Sequence, residues 1–195
     1  MDYRSPISDI YDEPLISDTY PSSGSLLDAV AIYYPTQFDL YKLDTVKYVG
    51  NGADAYCFFY PNGSVVKFTQ NQEHAKVSWK LCKENITNLS FVETFEVKKL
   101  CALGLYMIRE ERLCKLSPKE YDNLDAVLTG RQCHPKYSKI IDKFVIDLHT
   151  LKILDYDLDC LAAHNIMKAV NTSELKLMDF GYTKTTFSED YEVWR

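Results

Sequence analysis

Two oxygen-bearing side chains flank a short segment near the end of the sequence. Asn165 precedes the run "IMKAV", and Asp179 follows the run "LKLM". The turn-forming letters "NTSE" between these runs predict two short strands, so Asn165 and Asp179 begin and end one β-hairpin and reach one point in space. Amide and carboxylate oxygens are ligands for hard cations such as Mg²⁺. The pair predicts a magnesium site, although Asp179 by itself is also typical of a turn.

Two further carboxylates, Asp157 and Asp159, lie just upstream of Asn165. A carboxylate in such a position can orient or deprotonate a hydroxyl nucleophile. His164, directly before Asn165, is expected to pack in the loop and not to serve as the base.

A lysine, Lys67, ends the β-branched run "SVVK". If it faces inward it needs a partner, because a buried ammonium without one is costly; if it lies on an edge strand it is an ordinary solvated lysine. Glu73 stands six residues later, where a helix is expected to begin, and could pair with Lys67 and direct its ammonium toward phosphate. Glu84, further along that helix, is the rival partner.

A glycine-containing loop, "GNGADA" from Gly50 to Ala55, joins two predicted strands. Glycines allow the backbone to approach a phosphate, and backbone N–H groups can point at it. An ordinary β-hairpin turn could have the same residues, so this loop taken alone is weak evidence for phosphate binding.

Turn-forming residues and the periodicity of apolar residues predict the strands and helices that position these side chains. The region from Tyr41 predicts three strands with a "PNGS" hairpin turn, one helix capped by Asn71, and two more strands ending near Leu113. Ser117, Pro118 and Glu120 predict a helix start with a capping box. The best amphipathic helix follows, and its apolar stripe comprises Ile140, Ile141, Phe144, Val145 and Leu148.

Composition limits the class of protein. The chain has 195 residues and a formal net charge of −6, which argues against a broad nucleic-acid-binding face. No apolar run approaches the roughly 20 residues that a membrane span needs. The six cysteines show no metal-binding spacing and are expected to be reduced thiols, so we expect a cytoplasmic protein. Residues 1–40, rich at first in Tyr, Asp, Ser and Pro, predict a flexible N-terminal arm with a short helix at "SLLDAVAIYY" that packs on the body of the protein.

From about Tyr48 to Tyr182, the order of these motifs resembles that of the protein-kinase family. The motifs are, in chain order, the "GNGADAY" loop, "VVK", the helix with an early Glu, "MIREERL", "HNIM" and "LKLMDFG". More narrowly, the chain resembles the small serine/threonine protein kinases of tailed bacteriophages. The resemblance implies an α+β, two-lobed fold. Residues 41–113 would form an antiparallel five-stranded N-lobe with one helix, and residues 114–195 would form a minimal helical C-lobe, truncated after the "DFG" motif.

The resemblance also implies an ATP- and Mg²⁺-dependent kinase that phosphorylates proteins of a bacterial host, in the host cytoplasm. It assigns Lys67 to the α- and β-phosphates, Glu73 to Lys67 as its helix partner, and Asn165 and Asp179 to Mg²⁺. The hinge backbone from Glu110 to Leu113 would meet adenine. The residues it assigns to the nucleotide are Gly50, Asn51, Gly52, Lys67, Glu110 and Arg112.

Two departures from the family pattern leave alternatives open. The family places its catalytic Asp five residues before the Asn, but residue 160 is Cys; Asp159 is preferred as the base, with Asp157 second. The family's peptide-docking segments after "DFG" are also missing from the sequence. The alternative is therefore a catalytically weak or inactive kinase-like module that binds and inhibits a host protein. A small-molecule phosphotransferase of the antibiotic-kinase type is a weaker third hypothesis.

Overall fold

The first half of the chain forms a five-stranded antiparallel sheet. The structure is a computed structural model, and it describes residues 20, 22–51, 55–84, 90–150, 153–154, 161–178 and 184–185. The strands are β1 Lys47–Asn51, β2 Ala55–Phe59, β3 Ser64–Thr69, β4 Thr94–Leu100 and β5 Leu105–Glu111. Their order in the sheet is β1-β2-β3-β5-β4, so β3 is central and all six of its residues are buried. The predicted antiparallel sheet of five strands is confirmed.

The predicted "PNGS" turn joins β2 to β3. Gly63 has a φ of +87°, which L side chains rarely adopt, so glycine is required at this position. The Asn62 side chain accepts a hydrogen bond from the Ser64 backbone N–H at 3.1 Å and so closes the turn. This local chemistry fixes the register in which β2 and β3 pair.

One face of the sheet is covered by helices from the N-terminal region, α1 Ser23–Tyr33 and α2 Pro35–Leu40. Ser22 caps α1 by accepting a hydrogen bond from the Ser25 N–H. Leu26 and Val30 of α1 are fully buried in a cluster with apolar residues of β2, β3 and β5. The predicted short helix is therefore confirmed, and it packs on the body of the protein as expected, because it buries an apolar stripe against the sheet.

The opposite face of the sheet receives helix α3, Gln72–Lys83, which Asn71 caps as predicted. Ala75 packs against Tyr106 and Ile108 of β5. Val77 and Leu81, on another side of α3, belong instead to the core of the second half. Helix α3 therefore contacts both parts of the molecule.

The second half is built on helices α4 Pro118–Leu128 and α5 Pro135–Thr150. Both halves of the predicted capping box between Ser117 and Glu120 are formed. Of the predicted stripe on α5, Phe144 and Leu148 are buried, and the other three members pack against the same core from partly buried positions. This core is separate from the one beneath α1.

Short strands complete the second half. A three-stranded antiparallel sheet contains β6 Leu113–Cys114, β8 Ile166–Ala169 and β9 Leu175–Leu177, in the order β6-β8-β9, and β7 Ile153–Leu154 pairs with β10 Lys184–Thr185. The segment before β4 joins the two halves, because the N–H of Val92 donates to the Leu177 carbonyl at 3.0 Å and the N–H of Leu177 donates to the Ser90 carbonyl at 2.7 Å. Within the described residues, no helix has the length and apolarity needed to span a membrane.

The packing of α1 makes a testable prediction. Replacing the fully buried Leu26 (Leu26→Ala) removes apolar contacts and leaves a cavity, which should lower the free energy of unfolding by about 2–5 kcal/mol. The matched control in the same helix, Ile32→Ala, changes a side chain that is 72% exposed and should stay within about 0.5 kcal/mol of wild type. Urea denaturation measures both values. Equal effects of the two changes would contradict the packing of α1 on the sheet.

Candidate functional site

Lys67 lies on the central strand β3, where it stands opposite Cys57 of β2 and Ile108 of β5. The residue is only 5% exposed, so the alternative of a solvated edge-strand lysine is wrong. Its Nζ lies 2.6 Å from Glu110 Oε1 and also donates to the Met178 carbonyl at 3.4 Å. A buried ammonium thus has both a carboxylate and a carbonyl as partners, as the cost of burying its charge requires.

The position of Glu110 follows from the pairing of β3 with β5. Glu110 lies two residues beyond Ile108, so its side chain and that of Lys67 project from the same face of the sheet as diagonal neighbours. Glu110 is 3% exposed, and among the described residues its second oxygen, Oε2, has no hydrogen-bond partner. The carboxylate therefore keeps one acceptor oxygen that no described group uses.

Glu73 and Glu84, the two carboxylates that the sequence analysis offered as partners of Lys67, lie at the two ends of α3. Glu73, in the first turn, forms an ion pair with Lys76, and its side chain is 35% exposed. Glu84 follows the last turn, 3.8 Å from the Lys80 ammonium. The pairing of Lys67 with Glu73 stays a prediction, whereas the Lys67–Glu110 ion pair is a feature that the sequence analysis missed.

Asn165 stands at the mouth of the predicted hairpin, which is confirmed by the antiparallel pairing of β8 with β9. The N–H of Met178 donates to the Asn165 carbonyl at 2.9 Å, so the two ends of the hairpin are held together. The carbonyl of Met178 in turn accepts from Lys67. Lys67, Asn165 and the residue that precedes Asp179 therefore lie close together; Asp157, Asp159 and Asp179 themselves lie outside the described residues.

The glycine loop is described at its first two residues. Gly50 pairs with Cys57 next to a bulge in β1, and the backbone of Asn51 pairs with that of Tyr56. A Cβ built on Gly50 meets no atom within 4 Å, so packing against the described residues does not explain the glycine. Gly52 lies outside the described residues, and the phosphate-binding role of this loop stays a prediction.

Arg112 lies in the short connection between β5 and β6, the predicted hinge. Its guanidinium stacks on the Phe59 ring at 4.1 Å, beside an open cavity of about 580 Å³ that Tyr48 also lines. The neighbouring Glu111 fixes this connection, because its carboxylate pairs with Lys176 and accepts the Glu93 N–H at 2.8 Å. The adenine contact of the hinge stays a prediction, and the Glu110 side chain is directed to Lys67.

Two described residues have side chains of the types that a nucleotide and a hard cation require. The buried ammonium of Lys67 has the charge that a phosphate requires, and Asn165 offers an amide oxygen of the kind that Mg²⁺ accepts. Within the described part of the chain, no group of three or more His, Cys, Asp or Glu is arranged to hold a metal ion. The magnesium site at Asn165 and Asp179 stays a prediction, because Asp179 lies outside the described residues.

No protein-family model matches this chain, and a comparison with curated proteins finds no relative. The assignment of the site therefore depends on its own residues and geometry.

The hairpin that contains Asn165 is tied to helix α4 by an ion pair on the protein surface. Lys168 of β8 donates to Glu120 Oε1 at 2.6 Å, and Ser117 donates to Oε2 through its hydroxyl at 2.7 Å and its N–H at 3.0 Å. The hydrogen bond from Lys168, followed by those from Ser117, lowers the pKa of Glu120 from 4.5 to about 2. One carboxylate thus completes the capping box and anchors the hairpin.

This pKa predicts a pH dependence of stability. Because the folded-state pKa is lowered, Glu120 stabilises the folded protein fully above pH 4.5, and this contribution is lost as the pH falls from 4.5 to about 2. Glu120→Gln should therefore be less stable than wild type at about pH 6, and the difference between the two should shrink at lower pH. Urea denaturation over a pH series measures this difference.

The control for this experiment is Glu84→Gln, which changes a carboxylate in a 3.8 Å surface pair and should alter stability little. A difference between wild type and Glu120→Gln that stays constant over the whole acid range would contradict the assigned pKa.

Proposed function

We propose that the protein is an ATP- and Mg²⁺-dependent protein kinase that transfers the γ-phosphate to a protein hydroxyl. The observation that supports this most is the position of Lys67. Its ammonium is buried on the central strand and donates to the carbonyl of Met178, the residue before Asp179, at the mouth of the hairpin that Asn165 begins. The ammonium of Lys67 is thus close to the two ends of the hairpin that the sequence predicts to carry the metal ligands.

Each residue has a role in this proposal. Lys67 binds the phosphates and stabilises the charge that develops on the transferred group, while the loop of Gly50, Asn51 and Gly52 covers them. Asn165 and Asp179 hold Mg²⁺, which supplies further charge neutralisation when bound. The hinge backbone from Glu110 to Leu113 meets adenine.

The acceptor hydroxyl loses its proton to a carboxylate as its oxygen bonds to the γ-phosphorus and the bond to the ADP oxygen breaks. Asp159 is the preferred base, with Asp157 second. A bacterial host protein as the substrate follows from the resemblance to phage kinases alone.

The central test is the removal of the buried cation. Lys67→Met should lower the rate of phosphate transfer by about 100-fold or more, because the charge on the transferred phosphoryl group loses a preorganised partner. Transfer from labelled Mg·ATP to host-lysate proteins, followed by mass spectrometry of the labelled bands, measures the rate and names the substrate.

The matched control is Lys99→Met, which removes an exposed lysine from β4 and should leave the rate unchanged. Circular dichroism of both variants establishes that they are folded. Full activity in folded Lys67→Met would exclude the mechanism.

A second test concerns the metal. Asn165→Ala removes the amide oxygen but keeps the backbone carbonyl that accepts the Met178 N–H. The Mg²⁺ concentration needed for half-maximal transfer should rise by about tenfold or more, since loss of even an indirect metal contact has effects of this size. Asn171→Ala, in the exposed turn of the same hairpin, is the control. An unchanged Mg²⁺ requirement in Asn165→Ala would remove this residue from the metal site.

The second candidate function is a kinase-like module that binds a host protein without chemistry. The observation in its favour is that the Lys67 charge has partners within the protein itself, Glu110 and the Met178 carbonyl. Thermal unfolding with and without Mg·ATP separates the two functions, because a ligand of the native state raises the melting temperature. A higher melting temperature with ADP release supports the enzyme, and an unchanged one supports the binding module.

A further inference from the structure

One partner of Lys67 comes from the sheet. Glu110 is on β5, which pairs directly with β3, and the Lys67–Glu110 distance is 2.6 Å with both side chains almost fully buried. The backbone ladder from Ser64–Glu111 to Thr69–Tyr106 holds the two strands in one register. This register keeps the two side chains on the same face of the sheet as diagonal neighbours.

We propose that Glu110 is the positioning residue of Lys67, in the role that the helix-partner hypothesis gives to Glu73. This inference rests on the proposed function, because it concerns how Lys67 is held for phosphate. The direction of the Lys67 side chain then depends on the register of β3 with β5, and a shift of helix α3 does not break the pair.

The surroundings of the two carboxylates support this assignment. The Glu110 side chain is 4% exposed, so its charge acts on Lys67 with little screening by water. The Glu73 side chain is 35% exposed and pairs with Lys76 in its own helix, where solvent weakens its interaction with any other cation. The buried carboxylate is therefore the stronger constraint on the ammonium.

Glu110 also has capacity for a second interaction. Oε1 faces Lys67, while Oε2 is buried without a hydrogen-bond partner among the described residues. A carboxylate can accept several hydrogen bonds, so Glu110 can keep Lys67 in place and still accept from one more donor. Replacement by glutamine keeps the shape, removes the charge and substitutes an N–H₂ donor for one oxygen.

The test is a comparison of two matched variants, Glu110→Gln and Glu73→Gln. A misplaced Lys67 weakens phosphate binding, so Glu110→Gln should raise the KM for ATP by about 10- to 100-fold. Glu73→Gln should leave KM within about twofold of wild type, because an exposed pair contributes little. A merely structural role of Glu110 would lower the active fraction and hence the apparent kcat, without raising KM.

If Glu110→Gln does not fold, Glu110→Asp still tests the positioning role, because it retains the negative charge that Lys67 needs. Its side chain is shorter by one methylene, so KM should again rise, by less than in Glu110→Gln. An unchanged KM in folded Glu110→Gln or Glu110→Asp, or a rise confined to Glu73→Gln, would overturn the positioning role alone. Absence of both ATP binding and transfer in the wild type would overturn the proposed function and this role together.

Discussion

The charge of Lys67 is the constraint on which the centre of the structure depends. An ammonium on the middle strand of a sheet loses its hydration, and removing its partner would leave an uncompensated charge at a cost of several kcal/mol. Glu110 compensates it from the neighbouring strand, and Met178 contributes a carbonyl from the hairpin of the second half. The same side chain therefore ties the five-stranded sheet to the hairpin that begins at Asn165.

The N-terminal helices have a direct effect on this arrangement. Leu26 and Val30 cover the face of the sheet opposite to Lys67, so every residue of β3 is buried. With both faces covered, a charged side chain on β3 cannot reach water by a small movement of the strand. Burial by α1 on one side and by α3 and the hairpin on the other thus makes the Lys67–Glu110 pair a fixed part of the core.

Signals that act over a few residues were readable from the sequence. The structure contains three such features, each of which depends on residues close together in sequence. They are the Gly63 turn, the Ser117–Glu120 capping box and the apolar stripe around Phe144. The N-terminal arm contains the short helix that the sequence predicted. Polar residues dominate the start of this arm. The apolar side chains of α1 are buried by a sheet whose strands are distant in sequence, and this packing stabilises the helix.

The sequence by itself predicted the five strands and one helix of the first half, the hairpin that Asn165 begins, and the need of Lys67 for a partner if it faces inward. Tertiary structure added a carboxylate partner, Glu110, that the sequence did not indicate. Glu73 is closer in sequence, but Glu110 is placed diagonally to Lys67 by the pairing of β3 with β5. Strand register depends on contacts over the whole sheet and leaves no local pattern, so proximity along the chain could not reveal it.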